Sequence, residues 1–128
     1  MVWEVSLDYG LTGKVAIVTG GTRGIGRAIA DSLAAAGCRT YVCARSKPDD
    51  LPDSLEYRTL DVRDADAVDS FVNEIAAEAG SVDILVNNAG GSPASDAATA
   101  SPRFADAITK LNMLAPYYLA RAAHPHMK

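Results

Sequence analysis

The chain has 128 residues, 48% of them apolar and 22% charged, and a net charge of −4 from 12 basic and 16 acidic side chains. That length and balance fit one ordinary globular domain, and the acidic excess argues against a broad nucleic-acid or anionic-membrane surface. With no apolar run approaching a membrane span, no signal-peptide pattern in residues 1–14 and too few cysteines for a disulfide framework, the expected home is a reducing cytoplasm.

Residues 1–13 read as a leader, with Gly10 and Gly13 as turn formers. The apolar run Val15–Thr19 suits a strand buried on both faces. A helix follows over 24–36, with Ile25, Ile29 and Leu33 on one face and Gly37 as its stop. Residues 40–44 make the next strand, with Cys38 and Cys43 on opposite faces by their odd spacing. The stretch 47–54 carries two prolines and three aspartates and reads as a loop, and 57–60 forms a third strand ending at Asp61. Asp64 caps a helix that runs to Ala79, with Val68, Phe71, Val72, Ile75 and Ala79 inward and Gly80 at its end. Residues 82–86 make a fourth strand, and Asn87-Asn88-Ala89-Gly90-Gly91 turns after it. A small-residue loop reaches Pro102, and the last helix presents Phe104, Ile108, Leu111, Ala115, Tyr118 and Ala122. Short strands alternating with helices point to a parallel α/β sheet with right-handed crossovers.

Thr19-Gly20-Gly21-Thr22-Arg23-Gly24-Ile25-Gly26 joins the first strand to the first helix. A strand, a glycine-rich turn and a helix make a phosphate cradle, because unpaired N–H groups and aligned peptide dipoles at the helix start favour an anion. A Cβ at the glycines would block the tight turn or the close approach of a pyrophosphate. Ligands of open parallel sheets bind beyond the carboxyl ends of the strands. Ala44-Arg45-Ser46, Asp61-Val62 and 87–90 hold the equivalent places after the second, third and fourth strands. Four strand ends thus present ligand-contact residues together.

TGGTRGIG at 19–26, NNAG at 87–90 and the spacing between them resemble the short-chain dehydrogenase/reductase superfamily, over nearly all of 12–128. The likeness is strongest to members with a single doubly wound domain, such as 3-oxoacyl-acyl-carrier-protein reductases and sugar or alcohol dehydrogenases. It implies a Rossmann-type α/β fold, a doubly wound parallel sheet that stops here after the fourth strand and its following helix. Residues 1–128 would then be a single dinucleotide-binding domain, incomplete at its C-terminal end. By the resemblance Gly20, Gly24 and Gly26 form the dinucleotide turn, with Thr22, Arg23 and Ile25 beside the cofactor. Asp61 and Val62 face the adenine, the carboxylate accepting from the exocyclic amine and the next amide donating. Asn88, Ala89 and Gly90 lie along the ribose and the central turn, while Asn87 is structural and ties adjacent strands. Asn112, with Pro116 four residues on, holds a water that links the catalytic lysine to solvent.

Charge decides the expected cofactor. An acid at the end of the second strand would accept from the ribose 2′-OH of NAD and repel a 2′-phosphate. The end here reads Cys43-Ala44-Arg45-Ser46, without a carboxylate, and Arg23 in the glycine turn reaches the same place. Two guanidinium forks and a serine hydroxyl suit a phosphate dianion. The pairing implies NADP(H) rather than NAD(H), with hydride moving between nicotinamide and a small carbonyl or alcohol substrate.

The family's proton chemistry rests on a serine and a Tyr-x-x-x-Lys, the tyrosine as acid or base and the lysine lowering its pKa. The residues four beyond Tyr9, Tyr41, Tyr57, Tyr117 and Tyr118 are Gly13, Arg45, Asp61, Arg121 and Ala122. Sequence past Lys128 is expected to carry the missing groups and the substrate pocket, the 128 residues alone being inactive. Between Arg45 and Asp61 a short loop replaces the helix of most relatives, which opens the adenine side. An unpaired Ile84-Leu85-Val86 edge invites another chain. In the family the helix of Tyr117 and Tyr118 lines subunit interfaces, so a homo-oligomer, dimer or tetramer, is expected. His124 and His126 are too few for a metal site and read as helix-end residues. Two further readings stand beside the enzyme: a dinucleotide-binding module without turnover, and an interaction fragment using the final helix.

Overall fold

The computed structural model describes residues 8–127. Strands β1 (Val15–Thr19), β2 (Arg39–Ala44), β3 (Leu55–Thr59) and β4 (Ile84–Val86) alternate with helices α1 (Gly24–Ala35) and α2 (Ala65–Ala79). Beyond β4 come α3 (Pro102–Thr109) and α4 (Ala115–Ala123), joined by a wide π-helical turn over Lys110–Leu114. All strand pairs are parallel, in the order β3-β2-β1-β4. This is a Rossmann-type sheet flanked by helices.

Successive strand side chains point to opposite faces, so a strand covered on both sides needs an unbroken apolar run. Val15 and Ile17 of β1 and Tyr41 and Cys43 of β2 pack with Val68, Phe71, Val72 and Ile75 of α2 and Leu119 and Ala123 of α4. Val18 and Val42 face the other way, onto Leu55 of β3 and Ala30 of α1. Asp64 caps α2 by accepting from the Ala67 N–H at 3.1 Å, and Gly80 ends it with φ +88°. At the start of β1 the Val15 N–H donates to Asp83 Oδ2 at 2.8 Å, and the Ser81 hydroxyl adds a bond of 3.1 Å. Those donors, the Val15 amide foremost, hold the Asp83 carboxyl below the usual carboxylate range.

Several boundaries differ from the sequence expectation. β3 begins at Leu55, whose side chain fills the α1 side of the core, rather than at 57. β4 is confined to Ile84–Val86. On α1 Gly26 and Ala30 are buried, and Ile29 and Leu33 pack beside them against the sheet as expected, while Ile25 is 77% exposed. The single long helix after 102 is broken by the π-turn, and Leu119 and Ala123, not anticipated, join Ala115 in the core. Of the leader only 8–13 falls within the described residues, where Gly10 and Gly13 take φ of +68° and +78°; 1–7 and Lys128 lie outside them. Among the described residues no helix is long and apolar enough to cross a membrane.

Candidate functional site

The carboxyl ends of the four strands open on one cleft of about 820 Å³. Gly20, Thr22, Arg23, Gly24, Ile25 and Gly26 line it from the turn after β1, and Arg45 from the end of β2. Asp61 and Val62 enter after β3, and Asn88, Ala89 and Gly90 after β4. Ser46 stands apart, in an adjoining recess of about 660 Å³ that Arg23 and Arg45 share with the cleft. The opposite wall is apolar, from Phe104, Ile108 and Leu111.

The glycine turn is built around contacts that side chains would break. Gly20 and Gly24 take φ of +63° and +59°, where a Cβ is strained. A Cβ on Gly26 would overlap the Asn88 amide and the Gly20 carbonyl, and one on Gly21 would meet Val42 Cγ1 at 2.6 Å. Arg23 holds the N-cap position of α1 and makes no side-chain cap, so no side-chain oxygen competes for the first-turn N–H groups.

Asn88 locks this turn to β4. Its Nδ2 donates to the carbonyls of Thr19 at 3.1 Å and Gly20 at 3.2 Å. The buried Thr19 hydroxyl accepts from the N–H groups of Asn88 and Ala89 at 3.1 and 3.0 Å. The strand-tying role expected of Asn87 therefore falls to Asn88, because β1 and β4 are neighbours and residue 88 is the one turned toward β1. Asn87 is exposed, and its amide donates instead to the Pro116 carbonyl at 3.4 Å.

Charge gathers on the side of the cleft nearest β2. Arg23, Arg45 and Lys47 have no hydrogen-bond or ion-pair partner among the described residues, and all three line the recess. Arg27 is held there by Asp31 at 3.2 Å, the Thr22 carbonyl at 3.5 Å and the Asp50 carbonyl at 3.3 Å. Asp61 is already paired: Arg63 Nε and Nη2 fork onto its two oxygens at 3.0 and 2.8 Å, and the Arg63 N–H adds a bond of 3.1 Å. The Arg63 side chain is the main reason the Asp61 carboxyl lies below its usual range, with Arg45 adding a smaller pull. Burial pushes the Cys43 thiol, in the cleft wall, up to about 12, so it stays protonated.

Asn112 sits behind the wall rather than in it. Its Oδ1 accepts from the Gly91 N–H at 2.8 Å, and its Nδ2 donates to the carbonyls of Gly91 at 2.8 Å and Ile108 at 2.9 Å. The next proline explains the local geometry. Pro116 has no N–H, so the Asn112 carbonyl lacks its α-helical donor, and the wide turn forms here, with the Ala115 N–H reaching back to the Lys110 carbonyl. His126 Nε2 lies 2.9 Å from Asn73 Oδ1, joining the chain's end to α2.

Sequence reasoning missed Thr19, Arg27, Arg63 and the apolar wall. Arg63 gave no signal in its spacing, because it sits in the turn after β3 and its fork onto Asp61 depends on that turn. Phe104 and Ile108 were assigned to a helix core stripe, and nothing in their spacing separates a core from a cleft wall.

Residues 14–128 match the family described as short chain dehydrogenase. The chain belongs to that family. Among relatives of the short-chain dehydrogenase, a 7alpha-hydroxysteroid dehydrogenase of Clostridium sardiniense is 36% identical over 92% of this chain and 50% of its own. The 3-oxoacyl-acyl-carrier-protein reductase FabG of Escherichia coli (strain K12) is 46% identical over 61% of this chain and 34% of its own. The ligand-free aldohexose dehydrogenase of Thermoplasma acidophilum superposes with a TM-score of 0.87 at 32% identity, covering 92% of this chain and 46% of that one. A metagenomic short-chain oxidoreductase in complex with NADP gives 0.83 at 36%, covering 91% and 57%. The chain thus spans between 34% and 57% of the length of these relatives.

Proposed function

We propose that these residues form the NADP(H)-binding half of an oxidoreductase that moves hydride between nicotinamide and a carbonyl or alcohol. One observation carries the cofactor choice: Arg23 and Arg45 stand without partners among the described residues between cleft and recess, and β2 ends without a carboxylate. The cleft suits a dinucleotide on its own geometry, since Gly20, Gly24 and Gly26 floor it without side chains and no side chain caps the first-turn N–H groups of α1. The structural relative carrying NADP supports the same reading.

When bound, the nicotinamide supplies or accepts the hydride. The chain's own residues bind and orient. The first-turn N–H groups of α1 face the pyrophosphate, and Arg23, Arg45 and Ser46 hold the ribose phosphate through charge-assisted bonds. Val62 N–H and the Asp61 carboxylate read the adenine, and Ala89 and Gly90 line the central stretch. Asn112 serves the proton relay through its backbone carbonyl, which Pro116 leaves without a helical donor, because its side chain is engaged by Gly91 and Ile108. The general acid and the substrate pocket belong to the remainder of the protein, which we read as a cytoplasmic homo-oligomer. Exposed Met113 and Tyr117 on the outer side of the last helices support such an assembly.

The test is calorimetric titration of Arg23→Ala and Arg45→Ala with each cofactor. NADPH should weaken about tenfold or more in each variant while NADH changes by less than about threefold. Equal weakening of both cofactors contradicts the ribose-phosphate assignment.

A further inference from the structure

The crossover from β2 to β3 carries Arg45, Ser46 and Lys47 along the recess, yet residues 45–54 contain neither helix nor strand. A helix would satisfy its own backbone, whereas this stretch depends on bonds from its neighbours. Leu51 packs onto the core of Val18, Ala30, Val42 and Leu55, and Arg27 Nη2 donates to the Asp50 carbonyl at 3.3 Å. Those contacts hold the far half of the crossover. The near half, where Arg45 leaves β2, has a different anchor.

Tyr57 supplies it. The residue lies on β3 opposite Val42, with its ring packed on the α1 side of the sheet, and it lines neither cleft nor recess. Its hydroxyl donates to the Ala44 carbonyl at 3.0 Å, and the Thr59 hydroxyl donates to Tyr57 Oη at 3.2 Å. The Leu60 N–H donates to the same Ala44 carbonyl at 3.0 Å, so both lone pairs of that oxygen are used. The oxygen belongs to the planar peptide whose nitrogen is that of Arg45, so fixing it fixes the direction in which Arg45 starts. The Leu60 amide bonds along the sheet and alone leaves the peptide free to tilt. The phenol, arriving from the α1 side, removes that freedom. One residue earlier the Cys43 carbonyl accepts from the Gly20 N–H at 3.0 Å, which registers the strand end with the glycine turn. The Arg45 side chain is exposed and unpartnered among the described residues, so its aim is set through its backbone.

We propose that Tyr57 is a positioning residue for cofactor choice: its hydroxyl sets the peptide that aims Arg45 at a phosphate monoester in the recess. Preference for a phosphorylated over an unphosphorylated dinucleotide is then set partly from outside the site. The inference rests on the NADP(H) reading of the cleft and deepens it. A purely structural Tyr57 would weaken both dinucleotides or neither, whereas a positioning one weakens only the dinucleotide that carries the extra phosphate.

The experiment is calorimetric titration of the whole protein and of Tyr57→Phe with NADPH and NADH, repeated in an Arg45→Ala background. Phenylalanine keeps the ring packing and the Ala44 carbonyl keeps its Leu60 donor, so the melting temperature should stay within about 5 °C of wild type. Tyr57→Phe should weaken NADPH about fivefold or more and NADH by less than about twofold. In the Arg45→Ala background the same change should alter NADPH by less than about twofold, because the two residues act in series. Equal weakening of both cofactors, or no change in either, overturns the inference. A fivefold loss that persists without Arg45 overturns the route through Arg45. Should Tyr57→Phe not fold, Thr59→Val takes its place, since it removes only the donor that orients the phenol. It should cut the NADPH preference by about twofold or more, and an unchanged preference overturns the inference. If Arg45→Ala is selective for NADPH and Tyr57→Phe is not, only this inference fails. If Arg45→Ala weakens both dinucleotides alike, the ribose-phosphate reading fails with it.

Discussion

Asn88 shows how one side chain holds the floor of the cleft in shape. Its amide donates to two carbonyls at the end of β1, where an acid has no proton to offer. Asn88→Asp should cost about 2 kcal/mol or more, because both carbonyls lose their donor and face a charge. Denaturant unfolding checks it, and a midpoint equal to wild type contradicts the role. Asp83 sets the acid limit of the same sheet. Its carboxyl is held below its ordinary value, so its contribution is present above about pH 4 and is lost as pH falls through the lowered folded value. Asp83→Asn keeps an acceptor for the Val15 N–H and cannot titrate. Its stability should therefore fall less steeply than wild type below about pH 4 in equilibrium unfolding. The glycines of the turn after β1 were legible because a tight turn with positive φ demands them. The bond partners of Asn88 and Asp61 were not, since they depend on which strand lies alongside and which neighbour reaches first.

The two helices after β4 carry an element that periodicity misread. Spacing of 104, 108, 111, 115, 118 and 122 suits a regular helix, yet the extra residue of the π-turn rotates everything beyond it and brings Leu119 and Ala123 inward. Pro116 was the visible cue, because a proline removes the donor that a regular turn needs. The turn also fastens the loop after β4, through paired bonds of 2.8 Å between Asn112 and Gly91. Both partners are exposed, so Asn112→Ala should lower stability by only about 1 kcal/mol. It should instead loosen residues 91–100, seen as new cuts there in limited proteolysis. A digestion pattern identical to wild type contradicts this fastening. β3 was misplaced for a related reason: Leu55 looks like the tail of a polar loop until α1 supplies the apolar surface it packs on.

On the scale of the whole molecule, the sheet order β3-β2-β1-β4 places β1 centrally with its turn facing the cleft, an arrangement that alternating strands and helices made readable. It also leaves β4 at an edge, with Ile84, Leu85 and Val86 only half-buried. Such an edge pairs with other chains. The 128 residues expressed alone should therefore self-associate at micromolar concentration in sedimentation, and a monodisperse, stably folded monomer contradicts that expectation. What the cleft holds decides the function. The most direct measurement is a crystal structure of the protein grown with NADP⁺. The pyrophosphate is expected at the start of α1 and the ribose phosphate within hydrogen-bond reach of both Arg23 and Arg45. A dinucleotide bound elsewhere, or a ribose phosphate directed to solvent away from both arginines, contradicts that placement.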